Sequence, residues 1–264
     1  MLKLCVAGIA GRMGQAILHE IVSRGFQLTG AVEGPNSPYL GKNLRELGLL
    51  DSNIVVAGPS KLPEAVKDAD VYLTFTTPEA ELQNIPTIVD LEKKIVLGTT
   101  GFTKLQEEKL KNIVLNKVPA VISPNFSVGI TILFKIAHEL KVFPNDYDFS
   151  ISEIHHTGKK DAPSGTAKKL GQIISNIRKY TKNVYGREGY SPRKSQELEI
   201  SALRTGGTPG IHDLIVAGPN EMLKIEHIAF SRNVFAQGAV YAAEWLHHQT
   251  QKTIFDMDNV LGIS

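Results

Sequence analysis

Titratable side chains are concentrated between residues 153 and 167, where the sequence reads EIHHTGKKDAPSGTA. Its two adjacent histidines and two adjacent lysines can exchange protons and attract an anion. The stretch ends in a predicted helix start, because Asp161 or Ser164 suits an N-cap and Pro163 suits the first turn before the helical pattern of Thr166–Ile177. A helix N-terminus favours an anion. These features predict a site that holds a small carboxylate substrate and gives it a proton.

A glycine-rich turn near the start of the chain is typical of a dinucleotide-binding unit. The apolar run Leu2–Ala7 predicts a strand covered on both faces, and it leads directly into GIAGRMG at residues 8–14. A helix is expected from Gln15 to Arg24, followed by a strand over Leu28–Val32 that ends on Glu33. In such a unit the glycines permit a tight turn and a close approach to the pyrophosphate. The G-x-x-G-x-x-G spacing has a first gap one residue longer than the common fingerprint.

Predicted strands and helices alternate up to about residue 125, and the order then changes. The alternation predicts an α/β fold with a doubly wound, Rossmann-type parallel sheet. Later strands without intervening helices predict a smaller α+β domain with a mixed or antiparallel sheet. We expect one domain from residues 1–125 and 238–264 and a second from residues 126–237. The remaining predicted strands are Asn53–Ala57, Asp70–Phe75, Lys94–Leu97, Val118–Ile122, Asp148–Ile154, Glu197–Ala202, Asp213–Ala217 and Leu223–Phe230, and the remaining helices are Pro78–Leu91, Thr103–Asn116, Ser127–Leu140 and Asn233–Trp245.

Three loops that follow predicted strands are expected to meet at one edge of the parallel sheet. They are Thr76–Pro78, Gly98–Gly101 and Ser123–Phe126. Ligands of such sheets bind outside the carboxyl ends of the strands. An ordinary turn would explain Gly-Thr-Thr-Gly in isolation, so the prediction depends on the three loops together.

Composition and charge exclude several classes of protein. Of the 264 residues, 42% are hydrophobic, which is enough for a substantial core in one or two domains. The formal net charge of +2 does not indicate a nucleic-acid partner. No apolar stretch is long enough to cross a bilayer, and the one cysteine, Cys5, cannot form an internal disulfide. We expect a cytoplasmic protein without a membrane partner and without a metal, since no histidine or cysteine has metal-ligand spacing.

The motifs, taken in order, resemble those of one enzyme family. GIAGRMG, GTTG, NFSVG, the signature from Glu153 to Ala167 and the Arg204–His212 segment are similar to the 4-hydroxy-tetrahydrodipicolinate (dihydrodipicolinate) reductases. Ser150 departs from the pattern, since the family usually has another Glu there. The resemblance implies that NADH or NADPH reduces 4-hydroxy-2,3,4,5-tetrahydrodipicolinate to tetrahydrodipicolinate, with loss of water, in lysine and diaminopimelate biosynthesis. It also implies a homotetramer whose second domain binds the small dicarboxylate substrate and mediates oligomerisation.

Roles for individual residues follow from this resemblance. His155 matches the family's proton donor or acceptor, and Lys159 matches the proton donor that follows it. Substrate contacts are expected from His156, Lys160, Gly165 and Thr166. The residues expected to hold the nucleotide are Gly8, Ile9, Ala10, Gly11, Arg12, Met13, Glu33, Gly98, Thr99, Thr100, Ser123, Pro124, Asn125, Phe126 and Arg232.

Two other functions are compatible with parts of the sequence. A nicotinamide oxidoreductase acting on an amino acid or sugar would keep the glycine turn but would have no reason to keep the His/Lys signature. A nucleotide sensor would lack a proton donor beside a second anion site. Elsewhere, His212 is interpreted as a turn residue, His227 as a strand residue and segment 180–195 as a mobile or partner-contacting loop. Gly34 after Glu33 predicts that NADH serves at least as well as NADPH, although Arg12 and Lys42 could still reach a 2′-phosphate.

Overall fold

Two β-sheets organise residues 1–263, the part of the chain that the computed structural model describes. The strands are β1 (Lys3–Ala7), β2 (Gln27–Val32), β3 (Val56–Ala57), β4 (Val71–Thr74), β5 (Lys94–Leu97), β6 (Ala120–Ile122), β7 (Asp148–His155), β8 (Lys182–Val184), β9 (Glu197–Arg204), β10 (Gly210–Ala217), β11 (Met222–Ala229) and β12 (Ile254–Phe255). The α-helices are α1 (Arg12–Ser23), α2 (Leu62–Val66), α3 (Pro78–Asp90), α4 (Lys104–Val114), α5 (Val128–Glu139), α6 (Gly165–Arg178), α7 (Asn233–His247) and α8 (Met257–Leu261). None of the helices within residues 1–263 has the length and apolar character needed to span a membrane.

The chain divides into two units. The first unit comprises residues 1–127 together with the segment from Asn233 onward, and the second comprises residues 128–232. Residues 233–237, which the sequence analysis assigned to the second domain, belong to α7 in the first unit. The reason is packing: α7 lies against α1 and the central strands of the first sheet.

The first unit contains a seven-stranded sheet in the order β12-β6-β5-β4-β1-β2-β3, and all neighbouring strands are parallel. β2 and β3 lie on one side of β1, and β4, β5, β6 and β12 lie on the other. Because all these strands are parallel, their carboxyl ends lie at one edge of the sheet. The side chains of alternate residues of β1 point to opposite faces of the sheet. Leu4 and Val6 pack with α1 and α7, whereas Cys5 and Ala7 pack with α2, α3 and α4. The prediction of a doubly wound, Rossmann-type sheet is confirmed.

The second unit contains a mixed sheet in the order β11-β10-β7-β9-β8. β10 is antiparallel to β7 and β11, whereas β7, β9 and β8 are parallel. On β7, Phe149 and Ile151 contribute to a core with α5 and α6, and Glu153 and His155 continue the same buried face. The core-facing side chains of β7 thus change from apolar to titratable toward the end of the strand. The mixed sheet agrees with the prediction.

Sequence periodicity missed several short elements. The predicted strand Asn53–Ala57 is reduced to β3, and α2, β8, β12 and α8 were not predicted. These elements have two to five residues, too few for a periodic pattern, and depend on tertiary pairing. Segment 180–195, predicted as a loop, contains β8, and its Arg187 pairs with Glu197 at 2.9 Å and with Glu199 at 2.7 Å.

Candidate active site

The turn between β1 and α1 requires glycine at two positions. Gly8 has φ = +74°, a left-handed conformation that side chains disfavour. A Cβ on Gly14 would lie 2.0 Å from the carbonyl oxygen of Gly8, so the helix can approach the strand only without a side chain there. α1 starts at Arg12 behind Gly11, which provides no side-chain cap. By contrast, side chains cap α3, α4 and α6. An uncapped helix start in a tight glycine turn fits a nucleotide diphosphate.

Glu33 lies directly beside this turn. Its Oε1 accepts the backbone N–H of Ala10 at 2.7 Å, which fixes the carboxylate at the end of β2. Glu33, Gly34 and Pro35 line a cleft of about 510 Å³ together with Gly8 and Gly11. The cleft and its carboxylate fit a ribose beside the diphosphate.

The predicted nucleotide residues of the first unit lie at the carboxyl edge of the parallel sheet. Gly98 N–H donates to the carbonyl of Thr74 at 3.0 Å, and Ser123 N–H donates to the carbonyl of Leu97 at 3.1 Å, so the loops after β4, β5 and β6 are joined in series. Thr76 N–H donates to Thr99 Oγ1 at 2.8 Å. The edge thus brings together Gly8–Met13, Glu33, Gly98–Thr100 and Ser123–Phe126.

In the second unit, strand pairing places polar side chains around the end of β7. His212 of β10 lies opposite Glu153 in register, and His227 of β11 lies opposite His212. Arg204 of β9 lies opposite His155 in the next row. His155 contacts Glu153 through its Nδ1, which leaves the opposite ring nitrogen for a ligand. A histidine held from behind by a carboxylate is suited to general acid–base chemistry.

Glu153 is fully buried and is satisfied on both oxygens. Arg204 donates one Nη to each oxygen, at 3.0 and 3.1 Å, and the Ser164 N–H donates to Oε1 at 2.9 Å. Burial alone would raise the pKa of Glu153, but the hydrogen bonds from Arg204, Ser164 and His155 outweigh it and hold that pKa below its usual range. Glu153 is therefore an ionised partner that orients the imidazole of His155.

The neighbouring imidazoles are neutral at physiological pH. Burial lowers the pKa of His155, and the carboxylate of Glu153 opposes the effect. Burial also lowers the pKa of His212 to about 4, with His155 adding to the shift. The rings of His155 and His212 pack edge to face with centroids 5.1 Å apart. His212 Nε2 also lies 3.2 Å from Ser164 Oγ. His212 therefore connects the end of β7 with the start of α6.

α6 starts where the signature predicted an anion site. Ser164 is its N-cap and accepts the Ala167 N–H, and Gly165 and Thr166 are the first two helical residues. A Cβ on Gly165 would meet no atom within 4 Å, so the helix start borders open space. Lys159 precedes the helix and pairs with Asp161 at 2.7 Å.

Arg232 lies in the second unit, as its place in the predicted second domain implied, and its guanidinium lies 3.2 Å from Nε2 of His156. Its predicted contact with the nucleotide stays a prediction. Since arginine can only donate, Nε2 of His156 accepts in this pair. His156 is further fixed by its backbone N–H, which donates to the carbonyl of Thr208 at 2.8 Å. Lys160 is exposed.

Sequence reasoning missed three residues around His155. Glu153 was part of the signature but received no role, although its spacing of two on a strand indicates the same face as His155. Arg204 reaches the site only through the parallel pairing of β7 and β9, which no local pattern reveals. His212 was interpreted as a turn residue, which is wrong: it lies within β10 and is buried. The preceding glycines suggested a turn, but the strand begins at Gly210.

Comparison with known proteins covers nearly the whole chain. A family model described as dihydrodipicolinate reductase, N-terminus, matches residues 2–126, and the corresponding C-terminus model matches residues 129–261. The 4-hydroxy-tetrahydrodipicolinate reductase of Syntrophotalea carbinolica is 38% identical over 270 residues, and that of Methanosarcina barkeri is 38% identical over 268 residues. Both alignments cover 100% of this chain and 100% of the relative.

A solved structure supports the fold. The dipicolinate-bound dihydrodipicolinate reductase from Paenisporosarcina sp. TG-14 has a TM-score of 0.74 and 23% identity, with 97% of each chain covered. The family models and the full-length relatives carry the conclusion about function. This chain belongs to the dihydrodipicolinate reductase family, the NAD(P)H-dependent oxidoreductases that are also named 4-hydroxy-tetrahydrodipicolinate reductases.

Proposed function

We propose that the two units divide the family's reaction between them, with the nucleotide bound by the first unit and the dicarboxylate by the second. The reaction is the reduction of 4-hydroxy-2,3,4,5-tetrahydrodipicolinate to tetrahydrodipicolinate with loss of water, in lysine and diaminopimelate biosynthesis. NADH or NADPH supplies the hydride. The observation that carries the assignment of the substrate is the Glu153–His155 pair beside the start of α6.

His155 is assigned the proton transfer at its Nε2. Nδ1 is engaged by Glu153, so the ring has a fixed orientation and Nε2 is the nitrogen that can exchange a proton with the substrate. Nε2 lies on the side of Gly210, where a Cβ would approach it to 3.1 Å, so glycine leaves room there. Lys159, held by Asp161, is assigned as the proton donor that follows.

The start of α6 is assigned to a substrate carboxylate. Gly165 borders open space, Thr166 carries a hydroxyl, and the helix dipole favours negative charge at this end. His156, Lys160 and Arg232 add donors and positive charge in the same unit. A dicarboxylate would thus meet the positive end of the α6 dipole and basic side chains of the same unit.

Single substitutions test the proton-transfer roles. His155→Ala and Lys159→Ala should each lower kcat by about 10²–10⁴ while the Kd for NADH stays near its wild-type value, because a positioned proton donor or acceptor acts on turnover. Activity is followed by nicotinamide absorbance with enzymatically generated substrate, and Kd by nucleotide fluorescence. His248→Ala, a substitution near the end of α7, is the control. Wild-type kcat in both site variants would refute the assigned roles.

A separate substitution tests the carboxylate site. Thr166→Val removes a hydroxyl at the start of α6 and leaves the Glu153–His155 pair intact. KM for the substrate should rise about tenfold with kcat nearly unchanged, since a contact made in both ground and transition states is lost. An unchanged KM would place the substrate elsewhere.

The proposal includes use of NADH at least as well as NADPH. The carboxylate of Glu33 can accept hydrogen bonds from ribose hydroxyls and repels a 2′-phosphate. Two clefts lined by Glu33 have no lysine or arginine among their lining residues within positions 1–263, and Gly34 contributes no side chain. Steady-state kcat/KM with each nucleotide measures the preference. A preference of tenfold or more for NADPH would refute this part of the proposal.

A homotetramer in the cytoplasm completes the proposal and follows the family resemblance. The edge strand β11 and the residue beyond it expose large apolar side chains, among them Met222, Ile228 and Phe230, the last 92% exposed. Apolar side chains on an unpaired strand edge are typical of a subunit interface. Sedimentation of wild type should give a tetramer, and Phe230→Asp should shift the mass downward. A monomeric wild type would contradict this part.

A further inference from the structure

A fully buried acid, Glu81, lies in the first turn of α3, and none of the roles above uses it. Its side chain has 0% exposure. Burying a carboxyl group is costly unless it is hydrogen-bonded, so its partners indicate what it does. Burial raises the pKa of Glu81, whereas the surrounding threonine hydroxyls oppose the rise.

Three threonine hydroxyls converge on one oxygen of this carboxyl group. Thr74 donates to Oε1 at 2.7 Å, Thr76 at 2.6 Å and Thr99 at 2.5 Å. Thr99 Oγ1 in turn accepts the Thr76 N–H. One oxygen therefore joins the end of β4, the loop after β4 and the loop after β5.

The loop after β4 borders the nucleotide cleft, and the loop after β5 is joined to it through Thr99. Phe75, Thr76 and Thr77 line the cleft together with Gly8 and Glu33. The ring of Phe75 packs on the Cα side of Gly98, where a Cβ would lie 2.1 Å from a ring atom. The two loops are thus held by the shared Glu81 carboxyl group, by the Thr76–Thr99 hydrogen bond and by the Phe75 ring, and Glu81 is the group on which both threonine hydroxyls converge.

We propose that Glu81 is a positioning residue for the nucleotide: by holding Thr76 and Thr99 it fixes two of the loops at the carboxyl edge of the sheet where the nucleotide is proposed to bind. The inference rests on the proposed nucleotide role of Gly98–Thr100. Removing the Glu81 carboxyl group should change nucleotide affinity. Glu81 is buried beneath the loops, so it can act on the ligand only through them.

Two substitutions separate positioning from stability. Glu81→Met keeps the bulk and removes the acceptor, so the loops lose their common contact and the Kd for NADH should rise about tenfold or more. Glu81→Gln keeps an acceptor oxygen for the hydroxyls but puts an NH₂ group where Oε2 is buried without a hydrogen-bond partner within residues 1–263. The Gln variant should therefore keep Kd within about threefold of wild type while its Tm falls.

The matched control is Glu20→Met, which removes a buried acid of α1 that pairs with Arg24 in the same unit. Its Tm can fall, but its Kd for NADH should stay at the wild-type value. Thr74→Val is the second variant; it removes the hydroxyl donor at the end of β4, which loosens the Glu81 carboxyl group on which the loops converge, and should raise Kd about fivefold even if Glu81→Met does not fold.

Nucleotide fluorescence titration and thermal unfolding read out every variant. An unchanged Kd in Glu81→Met, or in Thr74→Val where the Met variant does not fold, overturns the inference. The inference is also overturned if Glu20→Met raises the Kd for NADH as much as Glu81→Met does, because the loss of binding would then follow from lost stability. Failure of the wild type to bind NADH at about 1 mM would instead refute the proposed nucleotide site.

Discussion

The buried imidazole of His212 makes folding of the second unit sensitive to acid. Its pKa is about 4 in the folded chain, against 6.5 for an ordinary histidine. A change of one in pKa corresponds to about 1.4 kcal/mol, so the full difference corresponds to about 3 kcal/mol. Because the folded-state pKa is lowered, the unfolded chain binds the proton first as pH falls. The stability is complete above pH 6.5 and is lost between about pH 6.5 and 4.

His212→Gln removes this titration and keeps an amide that can reach Ser164 Oγ. Between about pH 7 and pH 4.5, the wild-type free energy of unfolding should fall by about 2 kcal/mol more than that of the variant. Urea unfolding is followed by far-UV and tyrosine near-UV circular dichroism, since the only tryptophan, Trp245, lies in the first unit. His19→Gln, at an exposed position of α1, is the control and should parallel wild type. Parallel curves for wild type and His212→Gln would refute the reasoning.

Three further substitutions test the remaining contacts. Arg204→Met should lower the free energy of unfolding by about 3–5 kcal/mol in urea titrations, because it removes the cation that pairs with the buried carboxylate of Glu153; a loss below about 1 kcal/mol would contradict this. Glu33→Ala should shift the kcat/KM ratio of NADPH to NADH upward by about tenfold or more, and an unchanged ratio would exclude a role in selectivity. Gly14→Ala should lower Tm and weaken NADH binding, since its Cβ would lie 2.0 Å from a turn carbonyl, whereas Gly207→Ala, with open space around it, should behave as wild type.

The long periodic elements could be predicted from the sequence, and the short ones could not. β1 and α3 have continuous apolar or helical patterns, and their positions agree with the prediction within two residues. β12 has two residues and exists because it pairs with β6 across more than a hundred residues of chain. No window of local sequence contains that information.

The candidate site shows the same division. His155 and Lys159 were found because their motif is continuous in sequence. Arg204 and His212 act on the same site from β9 and β10, and their positions depend on strand register. Register is set by the whole sheet, so local spacing could indicate the candidate proton donors but not the groups that surround them.

The order of the units along the chain has a consequence for synthesis on the ribosome. The second unit is continuous, whereas the sheet of the first unit is completed by β12 and covered on one face by α7, both of which follow the second unit. Chains fold as domains emerge, at about 5–20 residues per second. The inserted second unit therefore has all its residues available before the first unit does, and the sheet of the first unit stays incomplete until α7 and β12 have been synthesised. A chain that stalls before α7 would expose the apolar face of the sheet that α7 covers.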